Sequence, residues 1–75
     1  MSAKDTADAI LRDFRTSMAP RCCYYFSDIS YALDVLYELW DLDGCGEWFS
    51  VCGPFANDHT IHVELNDPSG RDLSI

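Results

Sequence analysis

Of the fourteen residues from Ile29 to Leu42, only Ser30, Asp34, Glu38 and Asp41 are charged or strongly polar. The spacing predicts a helix in which Ile29, Leu33, Leu36, Tyr37 and Trp40 form one face, widened by Ala32, Val35, Leu39 and Leu42. A helix that is apolar around most of its girth has to be covered on several sides. Whatever else the chain forms must therefore wrap this segment. Ser27 and Asp28 offer a cap at its start, and Asp43-Gly44 with Gly46 stop it.

The flanking sequence supplies the cover. Upstream, Ala7, Ile10, Leu11, Phe14 and Met18 recur at helical spacing and predict a first helix with one apolar face. Asp5 is the expected cap, Asp8 and Arg12 are spaced for an ion pair, and Pro20 ends the element. Arg21-Cys-Cys-Tyr-Tyr-Phe26 is rich in strand-favouring aromatics and reads as a short strand. The alternative starts the second helix here, with Pro20 in its first turn. Downstream the period changes to two. Trp48–Cys52 reads as a strand broken by Gly53-Pro54, and Thr60–Leu65 alternates, with Ile61, Val63 and Leu65 on one side. Asn66–Gly70 is a turn cluster, and Arg71–Ile75 a short final strand. The expected fold class is α+β, one domain over residues 1–75, with two helices packed on a small antiparallel sheet arranged as a meander.

A chain of 75 residues, 48% of them hydrophobic and ten of them aromatic, supports one core and little more. No apolar run reaches the roughly 20 residues of a membrane span, and the first residues lack the basic-then-apolar order of a secretory signal. The expected location is the cytoplasm. There the four cysteines, Cys22, Cys23, Cys45 and Cys52, stay reduced and serve as small apolar core residues.

Charge is distributed unevenly. Thirteen acids against five bases give a net charge of −8, and after Phe26 ten acids face Arg71 alone. Such a surface repels nucleic acid and anionic membranes and suits a basic partner. Asp34, Glu38 and Asp41 fall at i, i+4 and i+7, so three carboxylates share one edge of the central helix, with Asp43 and Glu47 following in the next turn. Like charges four apart cost a helix about 0.2–0.5 kcal/mol per pair. The stripe reads either as a solvated acidic face or as a row of carboxylates offered to a basic groove. A rival contact face would use Asp58, Glu64 and Asp67 on the sheet. The tyrosines Tyr24, Tyr25, Tyr31 and Tyr37 suit either a small core filled by large residues or a protein interface.

Other constellations point to no chemistry. Asp41-Leu-Asp43-Gly-Cys-Gly46 matches positions 1, 3 and 6 of a calcium loop, but Cys45 and Cys52 stand where oxygen ligands belong. The cysteines lack the Cys-x₂₋₄-Cys pairs of structural zinc, and His59 and His62 are expected on opposite faces. Cys52 and His59 could meet across a hairpin as nucleophile and base, but such a pair also needs an orienting group and an oxyanion site, and a chain of 75 residues rarely encloses a substrate pocket as well. No catalytic residue, metal or cofactor is expected, and the chain reads as a non-enzymatic protein.

In size, charge and acidic helix edge the chain resembles small acidic phage-encoded inhibitors, the anti-CRISPR proteins and nucleic-acid mimics such as the uracil-DNA glycosylase inhibitor. The resemblance implies a binding protein that inhibits or regulates a basic nucleic-acid-handling protein or nucleoprotein complex in the cytoplasm of a bacterial host. The acidic helix edge and the turn after it, not the resemblance, supply the expected contact residues, Asp34, Glu38, Asp41, Asp43 and Glu47. The charge balance argues against direct contact with nucleic acid or membrane. The alternative is a small structural or regulatory domain that self-associates, as a homodimer, through an exposed sheet edge.

Overall fold

A computed structural model describes residues 2–69. The elements run α1 (Ala3–Thr16), β1 (Arg21–Tyr25), α2 (Ile29–Trp40), β2 (Phe49–Cys52) and β3 (Thr60–Leu65). The chain is an α+β protein, with both helices on one face of a three-stranded antiparallel sheet. Residues 21–25 form the strand, not an early start to the second helix. The final strand expected at Arg71–Ile75 lies outside the described residues.

The sheet order is β1-β3-β2, which corrects the expected meander. β1 and β2 both run antiparallel to β3, and therefore parallel to each other. Parallel strands need a crossover, and α2 provides it. Its apolar girth explains the arrangement, because a crossover helix lies against the sheet and leaves its other sides to α1 and the loops. Ala32, Val35, Leu36 and Leu39 are buried there together with Ala7, Ile10 and Phe14 of α1 and Phe49, Val51, Ile61 and Val63 of the sheet. Trp48 closes one end, stacked on Phe14 at 6.0 Å, with the Arg15 guanidinium 4.6 Å above its ring. Gly44, at φ +93°, makes this possible, since a Cβ there would collide with the Trp48 indole.

Several local expectations change. Ser2, not Asp5, caps α1, its hydroxyl accepting from the Asp5 N–H at 3.1 Å. Lys4 rather than Arg12 pairs with Asp8, at 4.0 Å. The helix stops at Thr16, so Met18 falls beyond it and is 91% exposed. Leu33, Tyr37 and Trp40 leave the apolar face assigned to them and stand out to solvent. The tyrosines divide: Tyr24 and Tyr31 pack against the core, while Tyr25 and Tyr37 are exposed.

The two sheet edges differ. The Asn66 N–H donates to the Trp48 carbonyl. This sets the ladder phase so that the backbone groups of Phe49 and Val51 point away from β3. Both outward carbonyls are occupied. That of Phe49 accepts from Gly46 N–H at 2.7 Å, and that of Val51 from the Trp40 indole N–H at 3.1 Å. On the opposite edge, the Leu65 N–H donates to the Pro20 carbonyl, so Arg21, Cys23 and Tyr25 turn their backbone groups outward. Among the described residues nothing pairs with them.

The Tyr24 hydroxyl ties β1 to α1 by donating to Asp13 Oδ2 at 2.6 Å. Burial, and next this bond, push the phenol well above its ordinary range. A group that holds its proton more tightly when folded stabilises fully below its unfolded pKa, about 10 for tyrosine, and loses that contribution as pH rises further. Denaturant melts across the alkaline range should show stability falling above about pH 10. Tyr24→Phe is expected to flatten that fall.

Candidate functional site

The five carboxylates singled out in the sequence gather around the outer side of α2 and the turn after it. Asp34 and Asp41 are exposed and Glu38 is half-buried on the helix, and Asp43 and Glu47 are exposed in the turn. Asp41 is the C-cap residue, and no base stands in the last turn of α2. Acids at a helix C-terminus face the negative end of its dipole, a penalty of about 0.3–1 kcal/mol each at exposed sites.

Lack of partners separates this group from most of the other described acids, Asp5 being the exception. Asp8 pairs with Lys4, Asp13 accepts from Tyr24, and Asp28 caps α2 by accepting from the Ser30 and Tyr31 N–H groups. The rival sheet acids are engaged as well. Glu64 Oε1 lies 2.8 Å from the Arg21 guanidinium, Asp58 accepts from the Thr60 hydroxyl and N–H, and Asp67 does the same for Ser69. Among the described residues no side chain donates a hydrogen bond or an ion pair to the carboxylates of Asp34, Glu38, Asp41, Asp43 or Glu47.

Beside the acids runs a second ridge that sequence reasoning placed in the core. Leu33, Tyr37 and Trp40 fall at i, i+4 and i+7 and are 39%, 57% and 50% exposed. The Tyr37 and Trp40 rings touch at 5.7 Å, and the indole N–H is anchored on the Val51 carbonyl. The anchor fixes the Trp40 ring at the surface, so little rotamer freedom remains to be lost on binding. Had the apolar residues of 29–42 been sorted by angle, the excess over one buried face would have shown the ridge, since the core takes Ala32, Val35, Leu36 and Leu39 and leaves these three over.

The cysteines also divide, correcting their assignment to the core. Cys22 and Cys45 are half-buried against it, and burial pushes the Cys45 thiol pKa up. Cys23 and Cys52 are exposed on the outer face of the sheet. Cys52 and His59 do not meet. His59, at φ +55°, stacks on Tyr25, and the residue opposite Cys52 is His62. The residues compared with a calcium loop form the turn in which Cys45 bridges to Phe49. Among the described residues no group of three or more His, Cys, Asp or Glu side chains could hold a metal ion, and no helix is long and apolar enough to cross a membrane.

Comparison with protein families, with characterised proteins and with solved structures found no match to this chain.

Proposed function

We propose that this protein is a non-enzymatic acidic binding protein that inhibits or regulates a basic nucleic-acid-handling protein or nucleoprotein complex in the cytoplasm, with α2 as its contact element. The observation that supports this reading is the unpartnered state of Asp34, Glu38, Asp41, Asp43 and Glu47, while most of the other described acids are bonded. Carboxylates left without internal partners, two of them on the wrong end of a helix dipole, reduce stability slightly and keep their full charge for something outside the chain.

The Leu33–Tyr37–Trp40 ridge refines the chemistry of that contact. Aromatic anchors rimmed by charge are the usual composition of an energetic centre in a protein interface. A basic protein groove with an apolar floor fits both ridges, the acids meeting Lys and Arg and the rings meeting the floor. Electrostatic steering by a net charge of −8 would speed encounter with such a surface. Capture from a lysate at stepped salt concentrations tests the reading. The expected partner is basic, and its capture falls steeply above physiological ionic strength. A partner that is acidic, or one whose capture ignores salt, would sink it.

A second reading, self-association as a homodimer, is favoured by one observation, the outward backbone groups of Arg21, Cys23 and Tyr25. Here a salt-insensitive dimer on size exclusion is the expected signature.

A further inference from the structure

The outer face of the sheet carries a connected set of polar side chains that the binding surface does not use. Cys23, His62 and Cys52 lie side by side across β1, β3 and β2. The ladder phase makes Cys23 and His62 a pair without mutual backbone hydrogen bonds, the type in which facing side chains stand closest. Cys23 Sγ lies 3.5 Å from His62 Nδ1. On the far side of the ring, His62 Nε2 is 2.8 Å from the Thr60 hydroxyl, which in turn is 2.8 Å from Asp58 Oδ1.

These distances settle which nitrogen holds the proton. Asp58 is a carboxylate, held below its usual range first by the Thr60 hydroxyl and then by the Thr60 N–H. A carboxylate only accepts, so the Thr60 proton is committed to it. The Thr60 oxygen is then an acceptor for His62 Nε2–H. The remaining nitrogen, Nδ1, turns a lone pair to the Cys23 thiol. A nucleophile, a base and a group that orients the base thus stand in one chain, the arrangement an activated thiol requires. Cys23 is exposed and open to a small molecule from solvent, while a cavity of about 240 Å³, lined by Arg21, Cys52, Phe55, His62 and Glu64, lies on the Cys52 side of the imidazole.

We propose that Cys23 is a reactive thiol that exchanges with low-molecular-weight disulfides, with His62 as its base and Thr60 as the residue that positions His62. The Cys23 proton passes to Nδ1. The thiolate attacks one sulfur of the disulfide, the S–S bond breaks, and the departing thiolate takes the proton back from the imidazolium. One protein thiol and one disulfide become one mixed disulfide and one small thiol, with no other oxidant. Cys52 cannot resolve the product. It lies two strands away, roughly 10 Å between Cα atoms at normal strand spacing, beyond the roughly 7 Å limit for a disulfide. Cys22, next to Cys23 in the chain, points to the opposite face of β1, so the adduct persists as a mark on the face opposite the helices. With a net charge of −8, the chain should favour a cationic disulfide over an anionic one.

The test is reaction of the reduced, full-length protein with cystamine, followed by intact-mass and peptide mass spectrometry. One adduct should form first, at Cys23, about tenfold faster than at Cys52, and should be lost in Cys23→Ser. His62→Gln should slow it by about tenfold or more and change its pH dependence. Thr60→Val should slow it as well, and Thr60→Ser, which keeps the hydroxyl, should restore it. Circular dichroism confirms that each variant is folded. Equal rates at Cys23 and Cys52, or a folded His62→Gln protein that reacts at Cys23 as fast as the parent, would overturn the assignment.

Discussion

Phe49→Ala is expected to leave the protein largely unfolded at room temperature. Phe49 is fully buried at the junction of β2, α2 and the Trp48 ring, which it meets edge-on at 4.7 Å. Removing a buried phenylalanine costs about 3–5 kcal/mol. A domain of this size holds about 4–11 kcal/mol in all, and a chain near the lower limit for a single core sits at the low end of that range, so the variant should keep little or none of it. Met18→Ala is the matched control. Its side chain is 91% exposed, and the change should stay within about 0.5 kcal/mol of the parent. Urea melts followed by circular dichroism separate the two. A cooperative Phe49→Ala transition close to the parent midpoint would contradict the core described above.

The second large effect concerns binding. Reversing Asp34, Glu38 and Asp41 to lysine should abolish capture of the basic partner while leaving the fold intact. The parent carboxylates have no internal partner to lose. A cation at the C-cap of α2 also favours the helix dipole where Asp41 opposes it, so a slightly higher melting temperature is expected. Loss of steering should appear as a slower association rate and a weaker salt dependence in any residual binding. Reversing Asp58 and Asp67 instead removes charge that the loops use internally, and should matter less to the partner than to local structure. A folded triple variant that binds like the parent would remove α2 from the account.

Much of the architecture was legible in the residues because it rests on local periodicity. The Asp28 cap, the start of α2 at Ile29 and the whole of β3 follow from spacing and capping chemistry alone. What was not legible depends on partners distant in sequence. The strand order places β3 between β1 and β2, and nothing within a strand states which neighbour it takes. That order alone brings Cys23 beside His62, 39 residues away. Sequence spacing suggested Cys52 with His59, and missed the pair because it compared neighbours along the chain. Trp40 shows the same limit. Its helical phase suggested burial, but the indole reaches across to a carbonyl of β2 and keeps the ring at the surface. The acidic stripe needed only the helical period, and α2 carries Asp34 and Glu38, but the helix ends at Trp40 and leaves Asp41 as its C-cap.

The unequal edges of the sheet bear on how many copies could ever join. On β2 the indole of Trp40 and the N–H of Gly46 already occupy the outward carbonyls, whereas among the described residues nothing pairs with the outward groups of β1. A sheet with two bare rows can add strands without end, as fibres do. With one such row among the described residues, two copies that meet β1 to β1 would consume each other's vacancy. Symmetry would then close the assembly at a pair whose described strands form one six-stranded sheet. Trp40 would in that case act as a terminator of polymerisation. Trading it for alanine would bare the Val51 carbonyl and open a second growth point on each copy.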